Sequence, residues 1–203
     1  MTRRLRQGRR LLLAVDIAVK AALLSLLLLA VAQPDLPQFE GKAMTGRALA
    51  YPISTAIVPV AWWLVARHRG RRPDYPYVLD ILIVLPFLID TVGNALDLYD
   101  SIGWWDDLNH FANWVLLCAG FGLLIARADI RSRWVFVLAV TGLGALLAIG
   151  WELGEWFTFI RHGTELDTAY EDTLGDEALG TLGGLVGALL VMWRTPVLTS
   201  DAV

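Results

Sequence analysis

A single cysteine, Cys118, in a chain of 203 residues leaves no partner for an intramolecular disulfide, and its place inside an apolar run reads as a buried, inert thiol. Charge is also scarce. Charged residues make up 18% of the chain, and a net charge of -3 argues against a nucleic-acid partner. There is no repeat, low-complexity tract or long linker, and the apolar runs lack the alternation of barrel strands, so they read as helices. No strand precedes a glycine-rich loop, which removes the usual nucleotide-cofactor cradle.

What the chain does have is apolar mass. Hydrophobic residues reach 56%, mean hydropathy is +0.54, and the few charges are gathered into short stretches between apolar runs. A bilayer imposes this segregation, and each crossing takes about 20 mostly apolar residues. Such runs occupy 11–32, 47–66, 77–96, 104–126, 134–159 and 172–193, behind a basic segment at 1–10. The expected fold is all-α, one polytopic membrane domain of about six transmembrane helices. The first run ends in Ala30, Val31 and Ala32, the small-residue pattern of a cleaved leader, but its length and the presence of Asp16 and Lys20 favour an uncleaved first span.

Orientation follows from the arginines. With the N-terminus cytoplasmic, the inner segments hold Arg3, Arg4, Arg6, Arg9, Arg10, Arg67, Arg69, Arg71, Arg72, Arg127, Arg131, Arg133 and Arg194, which is 13 of the 17 basic residues. Six spans place the C-terminus on the same side. Trp62, Trp63, Trp134 and Trp193 then fall at the inner boundary, and Trp104, Trp105 and Trp156 at the outer one, where indole rings are favoured.

The last four spans contain ionisable residues, each costing about 2.5–3.5 kcal/mol at the bilayer centre. They are Asp90 with Asn94 and Asp97, then Asp106, Asp107 and His110, then Glu152 and Glu155, then Asp172 and Asp176. Spacings of three or four residues place each set on one helix face. At 1.5 Å per residue, Asp90, His110, Glu152 and Asp176 lie about 8–10 Å inside the outer ends of their helices. The expectation is a polar pocket in the outer leaflet, made by these four, with Asp106, Asp107, Glu155 and Asp172 nearer its mouth. Carboxylates with one imidazole suit a divalent cation, and crowded carboxyls also suit proton relay or acid–base chemistry. The plain alternatives are hydrated rim groups or a purely structural hydrogen-bond network. Asp16 and Lys20, four residues apart, read as an internal ion pair, and His162 with Glu165 as loop residues. Gly150 and Gly154, and Gly180, Gly183, Gly184 and Gly187, have small-xxx-small spacing and read as packing positions, so that the helix carrying Glu152 is held against a neighbour.

Three motifs stand in series: Trp105-Asp106-Asp107-Leu108-Asn109-His110-Phe111, Glu152-Leu153-Gly154-Glu155-Trp156, and Tyr170-Glu171-Asp172-Thr173-Leu174-Gly175-Asp176 ahead of a glycine-rich helix. This series resembles the YjdF-like bacterial inner-membrane proteins, a family of unknown function, over roughly residues 80–191. It also looks like the VanZ-like membrane proteins, linked to glycopeptide tolerance, with Glu155 and Asp176 standing where that group has amides. The resemblance implies a multi-pass protein of the bacterial cytoplasmic (inner) membrane, and makes Asp106, Asp107, His110, Glu152, Glu155, Asp172 and Asp176 the positions to test.

Three functions fit these residues. The first is a metal-dependent hydrolase or transferase acting on a lipid-linked substrate or small polar ligand. In it His110, Glu152 and Asp176 bind a divalent cation or act as acid and base. The second is a proton- or cation-coupled small-molecule transporter using Asp90, Glu152 and Asp176. The third is a membrane scaffold built on the glycine faces.

Overall fold

The computed structural model describes residues 3–195 apart from 41, 129, 131, 159 and 163, and the side chains at 3, 4, 162, 164 and 165 also lie outside the described set. Arg131 and the side chains of His162 and Glu165 therefore lie outside the described residues. Among those described there is no strand. The chain forms α1 (Arg3–Ala32), α2 (Met44–His68), α3 (Tyr77–Ala95), a single turn α4 (Leu98–Ser101), α5 (Trp105–Ile125), α6 (Arg133–Thr158) and α7 (Ala169–Arg194). Short 3-10 segments, Ile160–His162 and Thr164–Asp167, join the last two.

Six of these helices are long and apolar enough to cross a bilayer. Their outward faces are apolar, as a lipid solvent requires: Leu11, Ile17, Leu24 and Leu28 on α1, and Leu138, Leu146 and Leu153 on α6, are all exposed. Trp63, Trp104, Trp134, Trp156 and Trp193, near helix ends, are exposed as well.

The helices fall into two compact units, Met1–Leu98 and Tyr99–Val203. In the first, α1 packs on α2 and α3, and α2 on α3. The buried positions on α1 are Asp16, Leu23, Leu27 and Ala30, a three-and-four spacing that makes one seam along the helix. Lys20 belongs to the same register, so Asp16 and Lys20 lie on the packing face. In the second unit, α7 packs against both α5 and α6, and α5 against α6.

Glycines let the second unit close. A Cβ on Gly183 would stand 2.4 Å from the carbonyl oxygen of Phe111, one on Gly187 2.7 Å from that of Val115, and one on Gly144 2.7 Å from Cys118 Sγ. Only a residue without a Cβ lets α5 and α7 approach so closely. Gly150 and Gly154 do not share this role, contrary to the expectation from their spacing. A Cβ at either would meet nothing within 4 Å. The buried stripe of α6 runs through Phe136, Val140, Gly144, Ala148 and Glu152 at four-residue steps, and Gly150 and Gly154 fall off it.

Candidate functional site

Each helix of the second unit buries one stripe, and each stripe ends in a polar residue. On α5 it runs His110, Trp114, Cys118, Gly122; on α7 it runs Asp176, Gly180, Gly184, Ala188. On α6 it ends at Glu152. The apolar portions form one core with Trp114, Cys118, Phe136, Val137, Val140, Ala148, Ala188 and Val191. Stripes that share a core bring their ends together, and here those ends are His110, Glu152 and Asp176, exposed by only 8%, 5% and 3%.

The imidazole stands between two sets of carboxylates. Nε2 lies 3.7 Å from Asp106 Oδ1 and 3.7 Å from Asp176 Oδ2, while Nδ1 lies 3.7 Å from Glu152 Oε1. These separations exceed a hydrogen bond, and Glu152 Oε1 is buried with no hydrogen-bond partner. Two donor sets result. One ligand atom each from Asp106, His110 and Asp176 lies within 4.8 Å of the others, as does one each from His110, Glu152 and Glu155. An ion about 2.0–2.6 Å from its ligands sets those ligands about 3–4 Å apart, and the 3.7 Å separations of the imidazole nitrogens from Asp106, Asp176 and Glu152 fall in that range. Glu152 and Asp176 thus approach different ring nitrogens.

More acidic groups surround this core. Asp172 is within electrostatic range of Glu152, Asp176 and Asp107, and Asp106 of Glu152 and Asp176. Asp106 and Asp107 occupy the first turn of α5, where the helix dipole favours negative charge. Thr173, which sequence reasoning passed over, stands close enough to Glu152 to interact with its carboxylate. Asn109 and Asn113 add a polar ladder on α5, with Nδ2 of Asn113 donating to Asn109 Oδ1 at 3.1 Å.

Asp90 lies in the first unit, with partners of its own. Arg47 Nε donates to Asp90 Oδ2 at 2.8 Å, the Tyr51 hydroxyl donates to the same oxygen at 2.7 Å, and Asn94 Nδ2 donates to Oδ1 at 3.3 Å. Toward the other end of α3, Asp80 is fully buried and accepts from both Lys20 and Tyr75. Lys20 also pairs with Asp16 at 3.3 Å, so one ammonium serves two carboxylates. Burial, and then the bond to Asp80, hold the Tyr75 phenol above its ordinary value of 10.0. Sequence reasoning found the Asp16–Lys20 pair and missed Asp80. That residue sits one turn into its span, where an acid reads as a hydrated end group.

A family model described as predicted membrane proteins matches residues 17–196. The chain belongs to the DUF2238 family. The YjdF-like resemblance is to this same family, so the family expected from the three motifs is the one found, while nothing supports the likeness to VanZ-like proteins. No curated protein and no solved structure matches this DUF2238 protein. The family is described only as membrane proteins, so any chemistry has to be argued from the residues.

Proposed function

We propose that this DUF2238 protein lies in the bacterial cytoplasmic membrane with both termini inside, binds a divalent cation through Asp106, His110 and Asp176, and acts on a lipid-linked or small polar substrate by hydrolysis or group transfer. One observation carries the reading: two carboxylate oxygens 3.7 Å from a single imidazole nitrogen, beside a buried carboxylate oxygen with no hydrogen-bond partner. Oxygen ligands with one imidazole suit Mg, Mn, Zn or Fe. When bound, such an ion supplies a Lewis acid and a more acidic coordinated water.

The residues of the chain divide the remaining work. Glu152 faces Nδ1, so it favours the tautomer with a proton there and leaves the Nε2 lone pair for a ligand, as carboxylates behind metal-bound histidines do. Asp107 and Asp172 add negative field at the mouth, which draws cations in. Leu108, Leu153, Trp156 and Phe157, close in sequence to the site residues, are exposed and apolar, which supports access for a substrate carried on a lipid chain.

The test is elemental analysis of purified protein after readdition of Mn or Zn, beside His110→Ala and Asp176→Asn. About one ion per chain in the parent and loss in both variants is the expected result. A parent that takes up none, or variants that take up as much, would overturn the reading.

A second reading is proton- or cation-coupled transport. It is favoured by the two buried carboxylates of α3, Asp80 and Asp90, each held by a basic residue of another helix. Proteoliposomes carrying a pH gradient would test it. Proton flux equal in the parent and in an Asp80→Asn variant removes that role.

A further inference from the structure

We propose that the basic end of α1 binds the headgroup of an anionic phospholipid. Arg6, Arg9 and Arg10 line a cleft of about 260 Å³ together with Leu13 of the same helix and Tyr77 at the start of α3. The cleft holds many times the roughly 30 Å³ share of one water, so there is room for a phosphodiester group.

Charge complementarity selects the occupant. Three guanidiniums meet at one cleft, and Arg9 alone has an acidic partner, Asp74 at 2.8 Å. Neither Arg6 nor Arg10 has a side-chain partner among the described residues. Among the described residues two positive charges are thus left unneutralised in one place, and like charges gathered this closely call for an anion. Guanidinium is the side chain whose fork of donors best matches phosphate oxygens. Leu13 and Tyr77 then give the cleft the mixed lining of a headgroup site, with an apolar side for the glycerol and upper chain. Its position at the end of a candidate span places it at headgroup level, where clustered arginines bind acidic lipids. These arginines precede residue 17, ahead of the family match, so the family does not imply them.

The experiment uses the full chain in neutral detergent and follows the thermal unfolding midpoint against added dioleoylphosphatidylglycerol, dioleoylphosphatidylcholine or inorganic phosphate. The expected result is a midpoint raised by phosphatidylglycerol alone. An Arg6→Gln, Arg10→Gln double variant keeps its lipid-free midpoint, because both side chains are exposed, and needs about 30-fold more lipid for the same shift. Arg71→Gln with Arg72→Gln, outside the cleft, retains the parent's response. Equal stabilisation by phosphatidylcholine overturns the proposal, as does an unchanged titration in the Arg6 and Arg10 variant. Full reproduction by inorganic phosphate would make this a free-anion site, and equal loss in the Arg71 and Arg72 variant would make it unspecific surface charge. Either result overturns the lipid assignment.

Discussion

Replacing Gly183 by alanine tests whether helix approach and site geometry depend on each other. The added Cβ would stand 2.4 Å from the carbonyl oxygen of Phe111, 0.6 Å inside the 3.0 Å limit for such contacts, with Val115 N at 3.1 Å and Trp114 Cβ at 3.0 Å. A backbone carbonyl cannot rotate aside, so α5 and α7 must part by at least that 0.6 Å. Overpacking of this kind costs about 1–3 kcal/mol, and the better helix propensity of alanine returns up to about 1 kcal/mol. With that return taken in full, a mid-range overpacking cost of about 2 kcal/mol leaves a net loss of about 1 kcal/mol, which lowers the midpoint of a chain this size by about 2–4 °C. Cys118 supplies the assay. It is the sole cysteine and is buried in the same core, so a thiol-reactive fluorophore reports on opening of this unit during a thermal ramp in detergent. Because Phe111 follows His110 directly, divalent-cation affinity should weaken as well. Gly150→Ala and Gly154→Ala are the controls, with nothing within 4 Å of either Cβ, and they should match or exceed the parent midpoint. A Gly183→Ala protein that melts at or above the parent temperature would refute the close approach.

Lys20→Met removes the one ammonium paired with both Asp16 and Asp80, leaving two buried carboxylates without it, and should destabilise the fold by about 3–5 kcal/mol as measured by circular dichroism during unfolding. Loss of under 1 kcal/mol would show that the pair is not buried. Acidification should release the divalent cation, because imidazole and carboxylate ligate only when deprotonated; metal content held constant from pH 8 to about pH 4 would argue against these ligands. The Tyr75 phenol is held above its ordinary value of 10.0 by burial and by Asp80, so the stability it contributes is full below pH 10.0 and falls as pH rises toward the folded value. Tyr75→Phe should therefore lose less stability than the parent between pH 9 and 11, and parallel alkaline melting curves would exclude this role.

The helices were legible because hydrocarbon demands continuous apolar length. The run expected over 77–96 is α3 (Tyr77–Ala95), and that over 104–126 is α5 (Trp105–Ile125). The first helix starts at Arg3 rather than near residue 11, since nothing ends a helix where the apolar run begins, and arginines are good helix formers whose side chains extend toward water. His110, Glu152 and Asp176 were legible for a related reason. A costly polar residue must lie on a protected face, and four-residue steps to Trp114, Ala148 and Gly180 mark which face that is. The role of Gly150 and Gly154 was misread because small-xxx-small spacing does not tell which face a pair lies on, and these two lie off the stripe that ends in Glu152.

By itself, the order of residues determined six spanning lengths, the helical state of each and the stripe on which its polar groups lie, since these depend on hydrophobicity and a 3.6-residue period alone. Which stripes face one another was decided only in three dimensions. The meeting of Asp80 with Lys20 across 60 positions, of Asp90 with Arg47, and of Glu152 with the far nitrogen of His110 from Asp176 depends on how closely particular helices approach. That approach is settled by local contacts such as Gly183 against the Phe111 carbonyl, which no pattern along one helix encodes.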